Sequence, residues 1–251
     1  MDKLKLLMGR PISVSEEHDL FVQQPLISDV VDMGEDSFNE YVLPYILTID
    51  AIFGGLDNEE ELMEKFTVYQ LFFLNSEDGG FLDGIFGGKS ALGVLEESIK
   101  YFLKTDDIQI LENRKKIVIN NSFLMDEVEF NFLRNIVQSV VGRKDIEVEK
   151  PPKNMTPRQK DIWDKLQKGR RRKAEREAIY LQDIINYTAF GGPTFIPLTQ
   201  IDNMTYYQLH NAYKSVVGID SYNTSLGYKL SQKFDVKDEI KHWTNILKIG
   251  K

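Results

Sequence analysis

The sequence predicts an α+β fold that is mostly helical, with a small antiparallel β element in an N-terminal module and an all-helical C-terminal module. Apolar side chains recur with the helical period of about 3.6 residues, and short β-like runs are joined by polar turns. Residues 1–150 hold 29 acidic and 14 basic side chains, a net charge of −15, whereas residues 151–251 hold 10 acidic and 17 basic, a net charge of +7. We therefore predict an acidic module over residues 1–145, a linker over 146–156 and a basic module over 157–251.

Composition narrows the class of protein. The chain has 251 residues, of which 42% are hydrophobic and none is cysteine. Without cysteine the chain has no disulfides, no thiolate zinc site and no cysteine nucleophile. No apolar run approaches the roughly 20 residues that span a bilayer, and no N-terminal stretch has the pattern of a signal peptide. We therefore expect a cytoplasmic protein that does not contact a membrane.

Strands are predicted only in the first module. Residues 3–8 alternate lysine with leucine, and this alternation predicts a strand that pairs with residues 12–14. Residues 20–22 are a third short candidate. Residues 108–111 and 116–119 are β-like runs separated by four polar residues, so a hairpin is expected there.

Amphipathic helices fill the rest of the first module. One apolar face extends from Phe38 to Phe53 and includes Pro44, which predicts a kink or a break. Ser90 and Asp126 are expected N-caps of two further helices, because their side chains accept hydrogen bonds from the first turn. Gly142 is the expected end of the second of these helices.

The second module is predicted to begin with one long basic helix over residues 156–187. Thr156 supplies an N-cap hydroxyl, and Gln159, three residues later, completes a capping box. Asn203 is the expected N-cap of a later helix, whereas the polar residues 218–234 are expected to include a mobile loop. A final helix from Asp235 would carry the apolar positions Val236, Ile240, Trp243 and Leu247.

The glycine-rich segment at residues 84–90 is a near miss to a phosphate-binding loop. The pattern requires glycine at the position of Asp83, and a carboxylate there would face the phosphates. His18, His210 and His242 lie far apart in the sequence, and this separation does not favour a shared metal site. The sequence therefore predicts no catalytic residue, no metal site and no cofactor, and a protein that is not an enzyme.

The strongest charge feature is a basic run in the predicted long helix, and we predict that it binds a partner. Its candidate residues are Arg170, Arg171, Arg172, Lys173 and Arg176. Three interpretations stay open: a solvated face partly neutralised by Glu175 and Glu177, contact with an acidic protein surface, and contact with nucleic-acid phosphates. The acidic first module itself is one candidate for the protein surface.

Aromatic side chains in or beside loops are a second candidate surface. Phe81, Phe86 and Phe195 lie in such segments rather than on clear helical faces. Exposed apolar patches usually mark interaction sites, so these rings are predicted to contact a partner. The competing interpretation is that they close the core from its loops.

Several stretches carry a family resemblance. They are a strand, turn and amphipathic helix at residues 117–137, the opening residues 4–9, and residues 204–214 followed by 238–244. Together these stretches resemble proteins from the tail-gene clusters of long-tailed phages of Gram-positive bacteria. Within that group they are most similar to the tail assembly chaperones.

The resemblance implies a non-enzymatic protein of the host cytoplasm that binds the tape-measure protein and keeps it soluble until the tail tube polymerises around it. It also implies an extended form made by ribosomal frameshifting, with the joint near residues 142–156. Apolar grooves and complementary charge suffice for such binding. Two alternatives remain: a structural virion component at the baseplate or connector, and a nucleic-acid-binding regulatory protein that uses the basic helix over residues 157–187. A homo-oligomer is compatible with each of them.

Overall fold

The protein is built mainly from helices, with short antiparallel strands in its N-terminal part. The computed structural model describes residues 2–54, 59–76, 79–150, 152, 155–231, 233 and 240–243. Within these residues the strands end at Met125, and the C-terminal region is helical. The predicted α+β fold class is confirmed.

Helices and β hairpins alternate over the first part of the chain. The helices are α1 (Lys3–Leu7), α2 (Ile27–Met33), α3 (Glu35–Ile46), α4 (Ile49–Phe53), α5 (Glu59–Lys65), α6 (Val68–Phe72), α7 (Ala91–Leu103) and α8 (Glu127–Val141). The strands are β1 (Ile12–Ser15), β2 (Leu20–Val22), β3 (Asn75–Ser76), β4 (Gly79–Gly80), β5 (Ile108–Leu111), β6 (Lys116–Ile119) and β7 (Phe123–Met125). Strand β1 pairs with β2, β3 with β4, and β5, β6 and β7 form an antiparallel meander that contains the predicted hairpin.

Only helices follow in the described C-terminal part. They are α9 (Pro157–Arg176), α10 (Leu181–Phe190), α11 (Leu198–Asp202) and α12 (Tyr206–Leu230). The predicted capping box of α9 is confirmed, because the Gln159 N–H donates to the Thr156 hydroxyl and the Gln159 side chain accepts from the Thr156 N–H at 2.8 Å. The predicted final helix from Asp235 lies outside the described residues, apart from residues 240–243.

The prediction of a strand at residues 3–8 is wrong, because this segment forms helix α1. The Asp2 carboxylate accepts hydrogen bonds from the backbone N–H groups of Leu4 at 2.9 Å and Lys5 at 3.3 Å. This N-cap stabilises a helix that alternation alone does not predict. Strand β1 therefore pairs with β2, with Ile12 opposite Val22, and not with residues 3–8.

The basic helix predicted over residues 156–187 is divided into α9 and α10. The chain leaves α9 after Arg176, and a new helix begins with its own cap, the Tyr180 N–H donating to Asp183 at 3.0 Å. The Leu181 N–H donates to the Glu35 carboxylate of α3 at 3.1 Å, and Leu181 is buried. The first module therefore fixes where α10 starts.

Two further predictions in the second module are corrected. Thr205, and not Asn203, caps α12, because its hydroxyl accepts from the Gln208 N–H at 3.2 Å. Residues 218–230, most of the segment predicted to include a mobile loop, belong to α12. Packing of the preceding turns, where Leu209 and Val216 are buried, stabilises a helix that the polar sequence beyond them would not form alone.

One hydrophobic core joins the first module to helices α10–α12. Its centre is a set of fully buried rings on α3, α7 and α8, among them Phe38, Tyr45, Phe102 and Phe130. The same core contains side chains from the second module, namely Leu181, Ile184, Ala189, Ile201, Tyr206 and Leu209. Helices α10–α12 thus pack directly on the N-terminal part, while the predicted module boundaries at residues 145 and 157 stay a prediction.

Polar contacts at Gln24 connect three distant segments within this junction. The buried Gln24 amide donates to the carbonyls of Lys5 at 3.2 Å and Arg10 at 2.9 Å, and it accepts from the Thr205 hydroxyl at 3.2 Å. Beside it, the Tyr206 N–H donates to the Pro25 carbonyl at 2.8 Å. The start of α12 is therefore held by the N-terminal hairpin.

His210 makes the stability of this junction depend on pH. Its ring lies on Tyr206, with the ring centroids 4.3 Å apart, and its Nε2 atom is buried without a hydrogen-bond partner in the described structure. Burial, together with the positive charges of Lys214 and Arg143, lowers the pKa of His210 from 6.5 to about 4. The folded protein therefore favours the neutral imidazole.

We expect the free energy of unfolding to fall as the pH is lowered from about 6.5 towards 4, by up to about 1.4 kcal/mol per pH unit from His210. In this window the unfolded chain binds a proton at His210 that the folded chain does not bind. Urea denaturation at several pH values measures the slope for the wild type and for His210→Gln. The variant should show a shallower slope, and an identical slope in both proteins would contradict this assignment.

Candidate partner-binding surface

Helix α9 stands apart from the core. None of its 20 residues is buried, and none packs against the hydrophobic core. Between Pro157 and Arg176 it carries nine basic and three acidic side chains, a net charge of +6. At about 1.5 Å per residue, a helix of this length extends roughly 30 Å. The protein therefore presents a long cationic helix to solvent.

An apolar groove lies along the first half of α9. It encloses about 410 Å³ and is lined by Pro152, Met155, Gln159, Ile162, Trp163, Leu166 and Arg170. Ile162 is 55% exposed and Leu166 is 43% exposed, one helical turn apart. Ile162 and Leu166 are not among the predicted site residues, although their i, i+4 spacing after a capping box is the signal for an apolar helix face.

The segment before α9 is fixed to the first module. The Ile146 N–H donates to the Ile46 carbonyl at 2.8 Å, and the Thr48 hydroxyl donates to the Ile146 carbonyl at 3.0 Å. Lys150 forms ion pairs with Asp50 and Glu59, each at 2.9 Å. Residues 146–150 are therefore anchored beside α3 and α4, although they fall within the predicted linker.

Glu149 links this anchored segment to α9. Its carboxylate accepts from the Arg170 guanidinium and from the Gln167 amide, the latter at 2.9 Å. The hydrogen bond from Arg170, followed by that from Gln167, lowers the pKa of Glu149. This contact places Arg170 at the end of the apolar groove, which it also lines.

The structure distributes the predicted basic residues around α9. Arg170 pairs with Glu149, Lys173 lies 3.9 Å from Glu177, and the Arg176 side chain donates to the Arg172 carbonyl at 3.2 Å. Arg171 and Arg172 are exposed and form no ion pair within the described residues. Among the described residues before α9, Glu149 is the acidic side chain that pairs with the basic run. Most of the positive charge of the run therefore remains unneutralised.

The predicted aromatic residues occupy different environments. Phe86 is 4% exposed and packs near Phe72, with ring centroids 6.1 Å apart, so it is a core residue. Phe81 is 40% exposed and lies 5.7 Å from the Phe53 ring. Phe195 is 62% exposed and lies 5.5 Å from the Phe190 ring. In the part of the chain that the structure describes, none of these ring contacts involves α9.

The glycine-rich loop before α7 is closed by its own carboxylate. Asp83 accepts from the backbone N–H of Gly80 at 2.8 Å and from that of Ala91, at the start of α7, at 2.8 Å. A phosphate in a phosphate-binding loop would accept from such a helix N-terminus. Asp83 therefore occupies the anion position and stabilises the loop.

The described residues form neither a metal-ligand cluster nor a membrane-spanning helix. No group of three or more histidine, aspartate or glutamate side chains there is arranged to hold a metal ion. Among the same residues, no helix has both the length and the apolar character needed to cross a bilayer.

Comparison with known proteins gives one partial match. A family model described as the YomV second domain matches residues 171–248. The matched segment begins inside α9 and includes α10–α12, so it covers less than half of the chain. It points to a phage-associated protein. Neither the curated proteins nor the solved structures contain a match.

Gly169 lies on the groove side of α9, three residues after Leu166. A Cβ atom at this position would meet no other atom within 4 Å. Because glycine inside a helix is less stable than alanine by about 0.5–1 kcal/mol, Gly169→Ala should increase amide hydrogen-exchange protection in α9 by roughly two- to fivefold. Gly142→Ala, directly after α8, is the control of opposite sign. It should lower hydrogen-exchange protection in α8, since Gly142 has φ +64° and alanine is strained there. Unchanged or faster exchange in the Gly169 variant would contradict the expectation.

Proposed function

We propose that this protein is a non-enzymatic, phage tail assembly chaperone-like protein that binds the tape-measure protein in the host cytoplasm. The observation that carries the proposal is α9, a 20-residue helix with no buried residue and with an apolar groove at its exposed surface. An exposed helix with such a groove is suited to a helical partner. Its net charge of +6 adds attraction for an acidic one.

Further support comes from the match to the YomV second domain, which agrees with a phage-associated protein. The sequence resemblance is the support for the two most specific parts of the proposal, the chaperone role and the tape-measure partner. A tape-measure protein is a long helical chain, so it offers repeated helical segments to a groove-bearing binding protein.

Nucleic-acid binding is the second candidate function. It is favoured by Arg171 and Arg172, which are exposed and form no ion pair within the described residues. Such binding would weaken steeply with salt, because each neutralised phosphate releases counterions. A gel shift with duplex DNA at several salt concentrations, comparing the wild type with a triple alanine variant of Arg170, Arg171 and Arg172, measures it.

Co-expression tests the leading proposal. The full chain is expressed together with the tape-measure protein of the phage that carries this gene, and the two should co-purify and co-elute on size exclusion. A chaperone should also be absent from purified virions, because it leaves before maturation. Separate elution of the pair contradicts the proposal, and presence in mature particles favours the structural virion component instead.

A further inference from the structure

We infer that the groove on α9 binds an acidic amphipathic helix, whose apolar side chains contact Ile162, Trp163 and Leu166 and whose carboxylates contact Arg170 and Lys173. This inference rests on the proposed function and names the chemistry of the partner segment.

The apolar part has the spacing of a helix-binding surface. Ile162 and Leu166 lie one turn apart and are 55% and 43% exposed. Together with Trp163, Met155 and Pro152, they line a groove of about 410 Å³. A partner helix presents side chains at i, i+3 and i+4, which is the spacing that such a groove can receive.

The same face of α9 becomes cationic toward its C-terminal end. Arg170 follows Leu166 by one turn, and Lys173 follows Leu166 by seven residues, so both lie on the side of the helix that carries the groove. A helix lying along this face would place its apolar stripe on residues 162–166 and its acidic residues on 170–173. Opposite charges across an interface fix the register and speed association.

The charge of α9 argues against a second copy as the occupant of the groove, and the exposed apolar residues argue against nucleic acid. Pairing of α9 with α9 of a second copy would bring two helices of net charge +6 together, which is repulsive. Nucleic acid would contact the basic side chains through its phosphates, but it would leave the exposed Ile162 and Leu166 in water. An acidic amphipathic helix satisfies both parts of the surface.

Glu149 occupies part of this site in the free protein. Its carboxylate is hydrogen-bonded to Arg170 and Gln167, and it is thus an internal substitute for a partner carboxylate. Removing its charge should release Arg170 for the partner. Glu149→Gln is therefore expected to tighten binding of an acidic helix by roughly two- to fivefold, which corresponds to an exposed ion pair of modest strength.

The test uses the full chain and a labelled synthetic peptide of about four heptads, with leucine at positions a and d and glutamate at e and g. Fluorescence anisotropy at physiological salt should show binding to the wild type. Leu166→Gln and Ile162→Gln should each weaken it by about tenfold or more, because each buries a polar amide against the apolar side chains of the peptide. Thermal unfolding should stay unchanged, since α9 has no buried residue.

Matched controls separate this site from general effects of charge and hydrophobicity. Val128→Gln removes an apolar side chain that is 72% exposed on α8, and Glu147→Gln removes an acidic charge two residues before Glu149. Both control variants should bind the peptide as the wild type does. A peptide of the same composition with its leucines scrambled around the helix should bind at least about tenfold more weakly.

Several results would overturn the inference: no binding of the acidic heptad peptide, equal binding of the scrambled peptide, tighter binding of duplex DNA, or unchanged affinity in the Leu166 and Ile162 variants. A dimer in sedimentation analysis that Leu166→Gln dissociates would assign the groove to a second copy. Co-purification of the tape-measure protein with these variants at the wild-type level would overturn the inference and leave the proposed function intact. Failure of the wild type to bind the tape-measure protein would instead contradict the proposed function.

Discussion

Replacing Phe130 with alanine is expected to lower the free energy of unfolding by about 4 kcal/mol, because it leaves a cavity at the centre of the core. Phe130 on α8 is fully buried. Its ring centroid lies 5.1 Å from that of Tyr69, 6.0 Å from that of Tyr45 and 6.3 Å from that of Phe72. Urea denaturation followed by circular dichroism measures the loss.

Phe132 is the matched control on the same helix. It lies two residues after Phe130 and is 50% exposed. Because its ring is only half covered, Phe132→Ala should cost no more than about 1 kcal/mol. Similar losses of unfolding free energy in the two alanine variants would show that the loss reflects the substitution in the helix and not the burial of the Phe130 ring.

Arg134→Ala is expected to lower the free energy of unfolding by about 3 kcal/mol, which is the second largest effect. The Arg134 side chain is 14% exposed and donates to the backbone carbonyls of Tyr45 at 2.9 Å and Leu47 at 2.5 Å, and to the Asp145 carboxylate at 2.5 Å. Alanine removes this donor from the Leu47 carbonyl and leaves the Tyr45 carbonyl with the Gln138 amide alone, at 2.6 Å. Hydrogen bonds to charged groups contribute about 1.5–3 kcal/mol each.

Two variants distinguish the carbonyl contacts of Arg134 from its ion pair. Asp145→Asn keeps both carbonyl contacts, and because Asp145 is 56% exposed it should lose at most about 1 kcal/mol. Arg114→Ala removes an exposed arginine that has no hydrogen bond or ion pair within the described residues, and it should be neutral within about 0.5 kcal/mol. Equal losses at Arg134 and Asp145 would contradict the importance of the carbonyl contacts.

Local signals in the sequence predict much of the fold. The capping residues Ser90, Asp126 and Thr156 each accept a hydrogen bond from the first turn of the helix that follows. Gly142 ends α8 in the left-handed conformation that glycine permits. Caps depend on neighbours within a few residues, and a single sequence contains all the information that they need.

An overlooked local cap and a contact between distant segments explain two of the errors. Residues 3–8 alternate as a strand would, but Leu6 is the only residue of α1 that is buried, and the Asp2 cap favours a helix. Glu35 accepts a hydrogen bond at the start of α10, although the two lie 146 residues apart in the chain. The Asp2 cap is a local signal that the leucine alternation obscured. The Glu35 contact cannot be read from a local pattern, because the tertiary fold places the Glu35 side chain beside α10.

One part of the candidate site, the basic run, could be predicted from the sequence, and the other part, the groove, could not. The charge pattern predicts the basic run at residues 170–173, and the exposure of the run follows from the polar composition of α9. The spacing of Ile162 and Leu166 indicates an apolar face of α9, but the groove could not be predicted from it, because Pro152 and Met155, which also line the groove, lie outside the helix. Phe86 has the same kind of loop sequence as Phe81, yet it is buried.

The closure of the N-terminal hairpin by α12 has a consequence for synthesis on the ribosome. Gln24 and Thr205 are 181 residues apart in the chain. At translation rates of about 5–20 residues per second, the nascent N-terminal segment waits roughly 10–40 s before the residue that completes it is made. Throughout that interval the nascent chain exposes apolar surface that α12 later covers, so the growing polypeptide is open to cellular holdases and to premature association.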